Sequence, residues 1–111
     1  MLSRETIIKI NKQLEEKGRV INGSSLDFAI SAQKRTKDWL TQLSFLTRAI
    51  LIDHVFSDGN KRTILALIIG ALEDLRLGYD SRRLEENIIK ILKENITNIN
   101  KIRRLIKDVI R

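Results

Sequence analysis

Aliphatic residues recur three or four positions apart through most of a chain that contains no proline. Ile7, Ile10 and Leu14 form one such set, Leu84, Ile88, Ile91 and Leu92 a second, and Ile99, Ile102, Ile106 and Ile110 a third. That spacing stacks side chains on one face of an α-helix, whereas a half-buried strand needs strict alternation, which no segment sustains. The fold class expected is all-α, with about six helices. At 111 residues and 42% hydrophobic content the chain is long enough for one self-supporting core and shows no linker or repeat, so a single domain over 1–111 is expected.

The punctuation of the chain places the helices. The first is expected from Arg4 to Lys17, capped by Ser3 and stopped by Gly18. Gly18 to Ser25 holds two glycines and the pair Asn22-Gly23, which suits a tight hairpin turn, so a mobile flap is expected there. Ser24 or Ser25 would cap a second helix over Leu26 to Arg35, with Ser24 and Asp27 forming a capping box. A third is expected over Lys37 to Phe56, ending at Ser57-Asp58-Gly59, and a fourth over Asn60 to Leu77, its ILALIIGAL run apolar on nearly every face. A fifth, capped by Ser81, would reach Asn95, and a sixth, capped by Thr97 or Asn98, would reach the C-terminus.

Several function classes fall away at once. The chain has no cysteine, which removes thiol catalysis, zinc ribbons and disulfide scaffolds. Its longest apolar run, Ile64 to Leu72, is far short of the roughly 20 residues that cross a bilayer, and the N-terminus has no continuous apolar stretch of a secretory signal. No membrane partner is expected, and a cytoplasmic location follows by default. The net charge of +7 favours an anionic partner without choosing among nucleic acid, nucleotide and acidic protein.

Chemistry concentrates in His54 to Thr63, HVFSDGNKRT, across the break between the two most apolar helices. A helix starting near Gly59 and Asn60 presents unpaired N–H groups and the positive end of its dipole, a place for phosphate oxygens. Gly59 lets backbone come close to a ligand. Lys61 and Arg62 put two cations at that same end, where they disfavour the helix unless an anion offsets them. Asp58 is a hard oxygen ligand of the kind Mg²⁺ takes beside nucleotide phosphates. His54, the one imidazole of the chain, can accept the proton of an attacking hydroxyl.

This segment resembles the signature of the Fic/Doc (Fido) family, HxFx(D/E)(G/A)N(G/K)R, through His54, Phe56, Asp58, Gly59, Asn60, Lys61 and Arg62. With the twenty residue types equally used, chance would supply those seven particular residues in about one window in 10⁹. Lys61, where the AMP-transferring members usually carry Gly, and Leu65, where they carry a second Arg, resemble the Doc toxin branch. The resemblance implies a Fido-type helical domain that uses ATP and Mg²⁺ to move the γ-phosphoryl group onto a protein Ser or Thr hydroxyl, in Doc that of a translation elongation factor. AMP transfer by the same site is the alternative.

By the same resemblance His54 would be the general base and Asp58 the Mg²⁺ ligand. Gly59 and Asn60 would form the anion cradle, Lys61 and Arg62 would neutralise phosphate charge, and Phe56 would anchor the loop. Arg19, Val20, Ile21 and Asn22 match the family's flap by position, which would hold the target by strand addition. The family's inhibitory pattern (S/T)xxxE(G/N) is absent, since Glu86-Asn87 and Glu94-Asn95 are preceded four residues earlier by Arg82 and Lys90. Inhibition would then come from a separate antitoxin-like partner or not exist.

Blander readings compete. Asp58-Gly59-Asn60 alone is an ordinary turn, Lys61 and Arg62 alone are solvated charge, and Trp39 is a packing or partner-contact residue. A basic nucleic-acid-binding helical domain accounts for the charge, but the sequence shows neither interleaved aromatics nor a recognition helix, so nucleic acid is not expected as the primary partner.

Overall fold

The structure, a computed structural model, describes residues 2–14 and 17–111. Its described residues form six α-helices: α1 (Arg4–Gln13), α2 (Gly23–Gln33), α3 (Trp39–Thr47), α4 (Asn60–Asp74), α5 (Ser81–Lys93) and α6 (Ile99–Lys107). A π-helical turn, Arg48–Ile52, continues α3. The all-α expectation holds. No strand forms among the described residues, only two isolated antiparallel bridges, Val20 with Phe56 and Tyr79 with Ile110. Among the described residues no helix is long and apolar enough to cross a membrane.

Each periodic set buries part of its face, while Leu92 of the second set is exposed and Ile10, Leu14, Ile99 and Ile110 are half-buried. Leu84, Ile88 and Ile91 of α5 and Ile102 and Ile106 of α6 are inaccessible to solvent or nearly so. α4 is central: Ile64, Leu67, Ile68 and Leu72 are buried in it, and it contacts α1, α3, the π-helical turn and α5. α6 packs mainly against α3 and also meets α5. Burial of each such Ile or Leu contributes roughly 1.5–3 kcal/mol, so this aliphatic core needs no staple.

The helix ends differ from expectation in ways that hydrogen bonding explains. α2 begins at Gly23 because the Asn22 side chain accepts from Ser25 N–H at 3.3 Å. Asn22-Gly23 is therefore a helix start and not a hairpin turn, and neither Ser24 nor Ser25 is the cap. Asp80 rather than Ser81 caps α5, accepting from Arg83 N–H at 3.1 Å. Asn98 caps α6 as expected. The third helix stops at Ile52 rather than Phe56, since a residue with positive φ, His54, reverses the chain there. α4 ends at Asp74 and α5 at Lys93, each followed by a left-handed residue, Arg76 and Asn95. Glu15 and Glu16, in the expected last turn of the first helix, lie outside the described residues.

Candidate active site

The signature folds into a clasped turn between the π-helical turn and α4. His54 takes φ 52 just past the helix end, the same left-handed stop that Arg76 and Asn95 provide elsewhere. Two residues on, Phe56 is buried and held at both main-chain atoms by one side chain. Its N–H donates to Asn60 Oδ1 at 3.0 Å, and Asn60 Nδ2 donates to its carbonyl at 2.8 Å. His54 is thereby kept within about 7 Å, Cα to Cα, of a fixed point of the turn. Gly59, at φ 74, closes the turn in a conformation that a side chain would strain.

α4 starts without a side-chain cap, whereas α1, α2, α3, α5 and α6 each have one. Its first N–H groups therefore keep the anion-attracting character inferred above. Around this end the side chains of the signature separate into two groups. His54 and Asp58 are exposed, and neither the imidazole nor the carboxylate meets a hydrogen-bonding or ionic partner among the described residues. Lys61 reaches Glu85 only at 3.9 Å, a loose exposed pair that leaves the ammonium free to move.

Asn60 and Arg62 are engaged in the fold. Both ends of the Asn60 amide are spent on Phe56, so its side chain is a clasp, and a contribution to anion binding is left to its main chain. Arg62 donates through Nη2 to the carbonyl of Leu14, where the α1 backbone runs out of partners. It ties α4 to α1.

The stretch 19–22 lies directly against the signature. Ser57 N–H donates to Arg19 O at 3.0 Å, and Ile21 and Asn22 N–H both donate to Val55 O at 2.8 and 3.2 Å. Asn22 Nδ2 also donates to Asp53 O at 2.9 Å. The expected mobile hairpin is replaced by one extended stretch bonded to the loop that carries His54. In the Val20–Phe56 bridge the flanking residues use the inward hydrogen bonds, so the N–H and C=O of Val20 face the other way. They meet no partner among the described residues. Ile21 stands beside them, 58% exposed.

Sequence reasoning missed Asn11. Buried at 1% exposure, it donates to Asp58 O at 3.1 Å and to Thr63 Oγ1 at 2.9 Å, and accepts from Gly18 N–H at 2.8 Å. One side chain thus joins α1, the approach to Val20, the signature turn and α4. Its signal was present: a polar residue four positions after Ile7, on the buried stripe of α1.

No group of three or more metal-ligating His, Cys, Asp or Glu occurs among the described residues. Asp58 alone fits Mg²⁺ only in the way that ion accompanies nucleotides, one carboxylate completing a shell of phosphate and water oxygens. A concavity of about 420 Å³ lies elsewhere, between α1, α3 and α4, with Leu2, Ile10, Trp39, Leu67 and Leu75 on its walls and none of the signature residues. Compared with known protein families, curated proteins and solved structures, the chain matches none. The resemblance of 54–62 to the Fido signature therefore rests on those residues themselves.

Proposed function

We propose that this protein transfers the γ-phosphoryl group of ATP to a Ser or Thr hydroxyl of another protein. One observation carries the reading: an exposed imidazole and an exposed carboxylate, both without partners among the described residues, stand on a clasped turn that leads into α4, which starts without a side-chain cap. The uncapped start of α4 forgoes about 1 kcal/mol that a capping side chain supplies, and a bound anion would recover it.

In this reading the first N–H groups of α4 and the Lys61 ammonium hold phosphate oxygens, and the Val20 edge lines up an extended target segment beside His54. Asp58 is the residue that would hold Mg²⁺, an ion that offsets phosphate charge when it accompanies the nucleotide. The target oxygen bonds to the γ-phosphorus as the bond from that phosphorus to the bridging oxygen breaks. The hydroxyl proton passes to the His54 imidazole, and ADP leaves. Asn60, Phe56 and Asn11 act by keeping the turn in shape.

Incubation of the protein with ATP labelled at either the γ or the α phosphate, Mg²⁺ and a cell lysate tests this. Transfer of γ label is the expected result, with a loss of ~10²–10⁴ in rate for His54→Ala. The same variant should change stability by no more than about 1 kcal/mol, because the exposed imidazole meets no partner among the described residues. Transfer of α label instead would make the reaction AMP transfer. Label transfer indifferent to His54→Ala would remove the base assignment.

A further inference from the structure

Four side chains on the α2–α3 face form a cluster that the reaction above does not use. The Arg48 guanidinium lies over both Phe45, at 5.4 Å from the ring centroid, and Phe28, at 5.9 Å. Arg35 lies over Phe28 at 5.7 Å, and the two rings meet edge to face at 6.2 Å. Phe28 is nonetheless 46% exposed. Arg4, Arg82, Arg83 and Arg103 each pair with a carboxylate, whereas neither Arg35 nor Arg48 does among the described residues. Arg48 has a single long hydrogen bond, 3.4 Å to Thr97 O.

Stacking on a ring fixes a guanidinium in place and leaves the N–H groups along its edge free to bind. Two cations flanking one half-exposed ring repel each other until an anion arrives, so the cluster is arranged for a carboxylate-bearing partner. Its position is informative. The Asn22–Asp53 bond joins the start of α2 to the end of the π-helical turn, next to Val20 and His54, and Phe28 and Arg48 stand on those same two elements.

We propose that this cluster docks an acidic segment of the protein substrate, continuous with the stretch that pairs along Val20. The identity of the occupant as substrate rests on the transferase reading; the binding chemistry does not. A peptide fits better than nucleic acid for two reasons. Arginines already flank the Phe28 ring, which limits its use for stacking a base, and two cations beside exposed Phe28 and Ile21 match a mixed acidic and apolar chain better than a run of phosphates.

Fluorescence anisotropy with a labelled Glu-rich peptide containing one Phe, its Gln counterpart and a single-stranded oligonucleotide of equal charge tests the proposal. The Glu peptide should bind about tenfold more tightly than the Gln peptide, and Arg35→Glu and Arg48→Glu should each weaken it by about tenfold. Arg35 is exposed just beyond the end of α2, so its variant should keep the helical circular dichroism of the parent. Arg48→Lys, which retains charge but not the planar fork, should fall between. His54→Ala should bind the peptide like the parent, which separates this result from the fate of the transferase reading. Equal binding of the Glu and Gln peptides, unchanged affinity in Arg35→Glu, or tighter binding of the oligonucleotide would overturn it.

Discussion

Replacing Asn11 by Ala removes three hydrogen bonds with one substitution and leaves their partners behind. Thr63 Oγ1 is fully enclosed, so its loss of a donor costs ~1–3 kcal/mol; Gly18 N–H and Asp58 O are only partly buried, can recruit water, and cost about 0.5–1 kcal/mol each. The sum is roughly 2–5 kcal/mol, a large share of the ~5–15 kcal/mol that holds a domain of this size together. Urea unfolding should show that loss, and the thermal midpoint should fall by roughly 10–25 °C. Hydrogen exchange gives a second and more local readout. The amides of Ile21 and Ser57, bonded across the two segments that Asn11 joins, should lose protection beyond the global change. A variant destabilised by less than about 1 kcal/mol, with those amides as protected as before, would refute the view that Asn11 organises the turn.

Asn60→Asp should lower stability by about 1–3 kcal/mol in urea without any nucleotide present, because a carboxylate oxygen would face the Phe56 carbonyl; an unchanged midpoint would return Asn60 to a purely ligand-binding role. Gly70→Ala should raise stability by about 0.5–1 kcal/mol, since Gly70 lies inside α4 and a methyl group there meets nothing within 4 Å; a loss would mean that this helix face is covered in solution. Asp38 has its carboxyl held below the ordinary carboxylate value, first by the Thr41 hydroxyl that donates to it and then by the Arg103 guanidinium. A depressed pKa contributes stability that is full above the unfolded-state value and is lost as pH falls from there through the folded one, so stability should drop from the ordinary carboxylate value downward and this acid limb should flatten in Asp38→Asn. An identical pH profile for that variant would show that the Asp38–Arg103 contact, partly exposed at both ends, contributes nothing.

The sequence alone determined the fold class, because a spacing of three and four repeated from Ile7 to Ile106 has no other way to bury its apolar face. It also located the break at Ser57 to Gly59, through a glycine between two apolar helices, but left His54 to Phe56 in the preceding helix, which in the structure has already stopped at Ile52. Helix starts were less legible. Asn22, Ser24 and Ser25 are all good caps, and Asp80 competes with Ser81, so the choice depended on which oxygen could reach a free N–H once the neighbouring segments were in place. Only the tertiary structure decided which polar side chains are used up in holding the fold and which stay free. Asn60, Arg62 and Asn11 bond to main-chain atoms four, 48 and 47 positions away, while His54 and Asp58 bond to none among the described residues. The same holds for Arg35, Phe28, Phe45 and Arg48, which are scattered in sequence and meet because two helices lie side by side. Periodicity records which face of a helix avoids water, but it carries no record of which distant atom that face will touch.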